Sequence, residues 1–258
     1  MSLSPGNFAW YELLTSDPPA AEAFYTAVLG WRAADAGMPG MAYTLMHVGD
    51  VPHAGLMALP PEARAVGAGA HWLGYVGVAD VDASARHLAE AGGTVHRPPD
   101  DIPGVGRFAP VSDPQGAAFV LFRGHGADGP PPIAPGTPGT VGWHELHAGE
   151  IDAALGFYGP LLGWKKGVTH DMGPMGIYQE FGRFGHSLGG MYKKPADMKA
   201  PPHWLLYAKV PDLQAAVAAV KAEHGQVLNG PMEVPGGDLV AQIQDPQGAA
   251  FALHQAKS

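Results

Sequence analysis

The chain has no cysteine among its 258 residues. That excludes a disulfide framework, thiolate metal ligands and a cysteine nucleophile. It fits a reducing compartment, and the cytoplasm is the expected location. Positive charge is also scarce: 15 Lys and Arg stand against 24 Asp and Glu, a formal net charge of −9. A general nucleic-acid binder needs a basic face, and so does docking on anionic lipid; no nucleic-acid or membrane partner is expected. Lysine is missing altogether from residues 1–130, which carry six Arg only. No run approaches the ~18 apolar residues of a membrane span, and the N-terminus lacks the charged and apolar regions of a signal peptide. Glycine and proline, by contrast, are plentiful, at 37 and 26 residues. They imply many turns and short elements, around a core that the 46% hydrophobic content can fill.

The second feature is repetition. Trp10-Tyr11-Glu12-Leu13 returns 133 residues later as Trp143-His144-Glu145-Leu146. The run Phe24-Tyr25-Thr26-Ala27-Val28-Leu29-Gly30-Trp31 returns as Phe157-Tyr158-Gly159-Pro160-Leu161-Leu162-Gly163-Trp164. His71-Trp72-Leu73 and Asp113-Pro114-Gln115-Gly116-Ala117-Ala118-Phe119 return at an offset of 132, from His203 and from Asp245. Four matches in one order at near-constant offset define a tandem duplication. Ten of the 17 residues from Gly124 to Thr140 are Gly or Pro, so this stretch reads as a linker. The expected domains are 1–123 and 141–258, with the linker at 124–140.

Within the first half, residues 8–14 read as a strand. Ser16-Asp17-Pro18-Pro19 starts a helix with a side-chain cap followed by Pro, and Gly30 ends it. Residues 41–48 and 53–59 read as strands joined at Gly49-Asp50, and 72–79 as another. Val81, Ala85 and Leu88 recur at helical spacing up to Gly92-Gly93. Residues 105–111 and 117–123 read as strands joined by the Asp-Pro-Gln-Gly turn. Each half thus contains two βαβββ-like units.

This order resembles the vicinal oxygen chelate superfamily of glyoxalase I, bleomycin-resistance proteins and extradiol dioxygenases. The matching motifs are the helix-borne Phe-Tyr followed by Leu-Gly-Trp, the helix starts at Asp80 and Asp212, Gly92-Gly93, and the Asp-Pro-x-Gly turn. The two-domain length and the Trp-x-Glu-Leu opening are similar to two-domain glyoxalase-like proteins of actinobacteria. The resemblance implies an α+β fold, two tandem domains each of two βαβββ units forming a curved, cup-shaped mixed sheet. It also implies a divalent metal in the cup, held by His and Glu. Counted from the motifs, those positions fall on Trp10, Gly74 and Val120, and on Trp143, Leu206 and Ala252. None is a metal ligand, whereas a divalent ion takes several oxygen or imidazole donors. No metal is therefore expected at the usual positions.

Strand alternation places Trp10, Glu12 and Leu14 on one face, and Trp143, Glu145 and His147 on the matching face of the second half. Phe122 and His254 occupy corresponding places in the last strands. Glu145 and His254 are the catalytic candidates. Trp10, Glu12, Trp72, Phe122, Trp143, His147 and Trp204 are the ligand-binding candidates. Glu145, His147 and His254 form an alternative displaced set for one divalent metal (Zn, Ni, Mn or Fe); Glu180 and His186, from strands of the same half, could join the ligand site of the second cup. Against this, Glu12 and Glu145 recur at one place in both halves and could equally be structural. The tryptophans could be core, His71 and His203 polar strand-start residues, and Tyr25 and Tyr158 packing residues. Leu14 becoming His147 and Phe122 becoming His254 make the second cup the more polar. Three functions stay open. One is a metal-free small-molecule binder. Another is a lyase or dioxygenase with displaced ligands, or a metal-free isomerase with Glu145 as base. The third is an interaction protein or antigen. The expected partner is a small molecule, and the state monomer or homodimer.

Overall fold

The computed structural model describes residues 4–65, 67–126 and 132–257. The expected linker residues 127–131 lie outside the described ones. The first βαβββ set is β1 (Phe8–Thr15), α1 (Pro18–Leu29), β2 (Arg32–Asp35), β3 (Tyr43–Val48) and β4 (Val51–Ala58). A short helix α2 (Pro61–Ala65) leads to the second set: β5 (His71–Gly77), α3 (Val81–Glu90), β6 (Thr94–Val95), β7 (Asp100–Ile102), β8 (Gly106–Ser112) and β9 (Ala118–Gly124). The third set is β10 (Val141–Ala148), α4 (Ile151–Leu162), β11 (Lys165–Asp171), β12 (Ile177–Arg183) and β13 (His186–Lys193). The fourth is β14 (His203–Lys209), α5 (Leu213–Ala222), β15 (Gln226–Glu233), β16 (Leu239–Gln244) and β17 (Ala250–Gln255). The fold is α+β, with strands in two mixed sheets. One runs β2-β3-β4-β1-β5-β9-β8-β6 with β7 beside β8, the other β11-β12-β13-β10-β14-β17-β16-β15. No helix among the described residues is long and apolar enough to cross a membrane.

Local chemistry explains the helix ends. Asp17, Asp80 and Asp212 accept from the backbone N–H three residues on, at 3.2, 2.9 and 3.0 Å, satisfying donors a first turn leaves open. Gly30 and Gly163 close α1 and α4 in the left-handed conformation, at φ 68° and 74°, which costs a residue without Cβ little. The sequence reading missed β2, α2, β6 and β7. They span two to five residues, too few for a periodic pattern to register.

Packing groups the chain into two compact units. Unit one takes Met1–Ala9, Gly74–Pro131 and Trp143–Leu205; unit two takes Trp10–Leu73, Pro132–Gly142 and Leu206–Ser258. Each unit therefore draws on both halves of the duplication.

In unit one, Tyr158 on α4 donates to Asp113 Oδ2 at 3.0 Å and accepts from Trp204 Nε1 at 3.3 Å. Asp113 Oδ1 accepts from the backbone N–H of Gln115 and Ala117, both at 2.9 Å, which explains the Asp-Pro-Gln-Gly turn. Phe8 stacks on His144 at 3.6 Å, and Trp164 donates to Gly6 O at 2.7 Å. In unit two, Tyr25 on α1 donates to Asp245 Oδ2 at 3.0 Å and accepts from Trp72 Nε1 at 2.8 Å. Trp31 donates to Gly139 O at 2.8 Å. The helix tyrosine of each half thus meets the turn aspartate of the other half.

Burial raises the carboxyl pKa of Asp113 and of Asp245. A raised folded value favours folding below the unfolded pKa, and that contribution is lost as pH rises through the folded value. Asp113→Asn has no charge to bury. Its stability relative to the wild type is expected to improve as pH is stepped from about 4 to 7. Paired thermal melts check this, and a gap that widens against the variant would refute it.

Candidate functional site

The β10 strand splits its side chains by alternation. His144 and Leu146 enter the helix-side core, where His144 lies on Phe8. Trp143, Glu145 and His147 take the other face. Glu145 pairs in register with Gly190 of β13, and Gly190 pairs with Glu180 of β12. A Cβ at Gly190 would sit 2.1 Å from the Tyr178 ring. The glycine therefore opens a slot across which Tyr178 reaches β10. Trp143 Nε1 donates to Tyr178 Oη at 2.7 Å, and the Tyr178 hydroxyl donates to Glu145. Burial, then the Glu145 charge, push the Tyr178 phenol pKa well up, so it remains a donor.

Unit two repeats the device. Trp10 Nε1 donates to Tyr43 Oη at 3.1 Å, and Tyr43 Oη donates to Glu12 Oε2 at 3.0 Å. Gly55, opposite Glu12 on β4, leaves the room, for its Cβ would lie 1.8 Å from the Tyr43 oxygen. A carboxylate 9% exposed at Glu12 and 6% at Glu145 needs such donors. The recurring Trp-x-Glu is thus an internally bonded element in both halves, and Tyr43 and Tyr178 are the partners the sequence reading missed. They match at an offset of 135, as do Gly55 and Gly190. The offset grows by two because 13 residues separate Trp164 from Tyr178 where 11 separate Trp31 from Tyr43.

The second half adds polar groups of its own. His147 Nε2 lies 3.0 Å from Glu145 Oε1. Tyr192 Oη lies 3.2 Å from His147 Nδ1, and the His203 ring is 4.3 Å from the His147 ring. His203 Nδ1 donates to Pro201 O at 2.8 Å. Burial, then His147, lower the His203 pKa, which favours the neutral ring with its lone pair on Nε2. Beside Glu145, Glu180 Oε1 meets His170 Nε2 at 2.8 Å, and Ser187 Oγ donates to Glu180 Oε2 at 2.7 Å. In the first half Leu14 and Met57 stand where His147 and Tyr192 do. Trp143, Tyr178, Tyr192 and His203 are half-buried, so this face is reachable from solvent.

The structure brings Trp143, Glu145 and His147 together, and Trp10 with Glu12. Of the displaced set, Glu145 and His147 lie in unit one. His254 lies in unit two, with Nε2 2.7 Å from Asp238 Oδ2, and among the described residues no three His, Asp or Glu side chains are placed to hold a metal ion. Trp72 and Trp204, expected as ligand-binding, give their indole N–H to the helix tyrosines and lie in the core, 8% and 7% exposed. Phe122 packs on Tyr75 in unit one at 5.9 Å. His186 begins β13 exposed, in register with Arg183, and Glu180 holds His170 instead.

The counted metal positions need one correction. Gly74 faces the helix-side core, where its Cβ would meet the Phe8 ring at 2.7 Å, and Leu206 lies with Tyr25, Trp31 and Trp72. The adjacent Tyr75 and Tyr207 stand in register with Val120 and Ala252. Indole, phenol and aliphatic groups at these places do not fit a divalent ion, which takes several imidazole or carboxylate donors.

The model of the Glyoxalase/Bleomycin resistance protein/Dioxygenase superfamily matches twice, at residues 7–121 and 140–253. The chain belongs to this superfamily. It is 32% identical over 252 residues to a putative glyoxylase, CFP32, of Mycobacterium bovis, covering 96% of this chain and 94% of that one. It is equally 32% identical over 275 residues to the anthracycline biosynthesis protein DauV of a Streptomyces species, covering 97% and 93%. Among solved structures, the Mn(II)-bound glyoxalase from Novosphingobium aromaticivorans shares the fold with a TM-score of 0.66 at 16% identity, covering 97% of this chain and 82% of that one. The 2,2',3-trihydroxybiphenyl 1,2-dioxygenase from Sphingomonas wittichii does so with a TM-score of 0.68 at 14% identity, covering 98% and 91%.

Proposed function

We propose that the protein binds a small, flat organic molecule against the β10 face of unit one, without a metal at the superfamily's usual positions. One observation carries this reading. The second copy keeps the Trp-Tyr-Glu element and replaces Leu14 and Met57 of the first copy by His147 and Tyr192. The result is a half-buried surface of the Trp143 indole, the Tyr178 and Tyr192 phenols and the His203 imidazole over a buried His147, the kind of lining that takes planar ligands and orients them with a few polar contacts. That relatives of this length are named for anthracycline biosynthesis supports a fused-ring aromatic as the first probe. Titration with 1,4-dihydroxyanthraquinone is expected to quench tryptophan fluorescence saturably. His147→Leu, which restores the first-half residue, is expected to weaken binding about tenfold, or 1.4 kcal/mol. Gly190→Ala, which drives Tyr178 off Glu145, is expected to weaken it at least as much. Non-saturating quenching by the wild type would overturn the reading.

A second reading, a proton-transferring isomerase on the same face, draws on the 3.0 Å contact of Glu145 with His147. Glu145 already accepts from Tyr178, so in this reading it orients His147 rather than acting as the free base. Glu145→Gln would then lower turnover and shift its pH profile, while leaving binding of the planar probe in place.

A further inference from the structure

Unit two contains a cavity of about 200 Å³ that the β10 face does not use. Gly136 and Pro138 border it, together with Lys209 at the end of β14, Val210, Pro211 and His254 of β17. At the ~10–15 Å³ of such space that one water needs, it has room for a small organic molecule.

Two of its lining groups are chemically committed. His254 Nε2 lies 2.7 Å from Asp238 Oδ2, and Asp238 Oδ1 accepts from the backbone N–H of Lys257 at 2.9 Å. A carboxylate only accepts, so Nε2 is the nitrogen that carries a proton toward Asp238, and when the ring carries one proton Nδ1 keeps the lone pair. Lys209 has its stem laid over Gly142, whose Cβ would lie 2.2 Å from Cε. Among the described residues its ammonium has no ion-pair partner within 4.0 Å; the nine ion pairs involve other cations.

The duplication supplies an internal control. At the offset of 132, Lys209, Asp238 and His254 correspond to Gly77, Gly106 and Phe122. There the Phe122 ring fills the place, standing 2.8 Å from where a Gly106 Cβ would be. One copy thus has a phenyl plug over two glycines. The other has a lysine, an aspartate–histidine pair and a cavity. The Lys257 N–H, then His254 and the Lys209 charge, hold the Asp238 carboxyl below its usual range, so one carboxylate faces two half-buried cationic or imidazole groups.

We propose that this cavity is a separate binding site for a short hydroxycarboxylic acid. Lys209 takes the carboxylate, and Nδ1 of His254, held by Asp238, accepts from the ligand hydroxyl. The site shares no residue with the β10 face, and its test uses a different reporter from the planar-ligand titration.

The experiment is a titration of the full chain, labelled with ¹⁵N in histidine, with glycolate, following the imidazole signals of His254. Propionate, with the same number of heavy atoms and no hydroxyl, is the control. Glycolate is expected to shift the His254 signals saturably with a Kd on the order of 1 mM, and propionate to bind about fivefold to tenfold more weakly. Lys209→Met is expected to remove the response while keeping the wild-type circular dichroism. Should Lys209→Met fail to fold, Lys209→Gln, which keeps the stem over Gly142, carries the same expectation. No saturable shift up to about 20 mM glycolate, an equal response to propionate or sodium chloride, or an unchanged midpoint in the lysine variant each overturns the proposal.

Discussion

The double variant Tyr25→Phe/Tyr158→Phe is expected to lose about 3–6 kcal/mol of stability at pH 7, read by urea denaturation. Each tyrosine is fully buried and gives its hydroxyl to a buried aspartate at 3.0 Å. Each hydroxyl also accepts an indole N–H, from Trp72 and from Trp204. Removing one oxygen therefore strands a donor and an acceptor together. A hydrogen bond to a charged group is worth about 1.5–3 kcal/mol, and the group left unsatisfied adds its desolvation cost. The two clusters share no residue, so the losses are expected to add. The loss should shrink near pH 4. There the raised carboxyls of Asp113 and Asp245 take up protons, and only a neutral hydrogen bond is then missing. A loss below about 1 kcal/mol at pH 7 would mean that the carboxylates have another donor.

The second large effect is acid sensitivity at His144. This ring is stacked on Phe8 and bonded through Nδ1 to Leu188 O at 2.7 Å, and burial pushes its pKa down from 6.5 to about 4. The unfolded chain then binds a proton that the folded chain does not. The contribution to stability is fully present above about pH 6.5 and lost as pH falls through about 4. At 1.36 kcal/mol per unit this amounts to roughly 3 kcal/mol. His144→Gln keeps an N–H donor for Leu188 and has no proton to gain. Its stability relative to the wild type is expected to rise by about that amount between pH 7 and 4. A flat difference would show that the ring is protonated in the folded state as readily as in the unfolded one.

Much of this architecture was legible in the chain. The Trp-x-Glu, Phe-Tyr and Asp-Pro-Gln-Gly repeats fix the duplication, the element order and the superfamily, because each is a local device: an alternating strand, a helix stripe, a side-chain-capped turn. The candidate site was legible only along one strand. Trp143, Glu145 and His147 follow from alternation, and they do share a face. Tyr178 and Tyr192 come from strands that reach β10 through registers no local pattern encodes. The donors to Glu12 and Glu145 were therefore not legible, although Tyr43 and Tyr178 supply them. His254 was given the right alternation but the wrong company, since Asp238 meets it from β16 side at the far strand end. Trp72 and Trp204 point to the helices, one residue out of phase with the histidines before them. The crossing of the halves between compact units depends on contacts far apart in the chain, from the 35 residues between Gln115 and Glu150 to the 220 between Tyr25 and Asp245.

That crossing bears on how such a chain could arise. A half-length ancestor has one helix tyrosine and one turn aspartate. If it packs as the halves do here, it satisfies both only against a second copy of itself, each giving a hydroxyl and receiving one. This is the self-complementary contact of a twofold dimer. Fusion through the Gly- and Pro-rich segment turns that encounter into an intramolecular one, with a partner concentration set by the tether and not by expression level. It also frees the two copies to diverge, since a change in one no longer appears twice. A leucine could then become His147, and a phenylalanine His254, on one side alone.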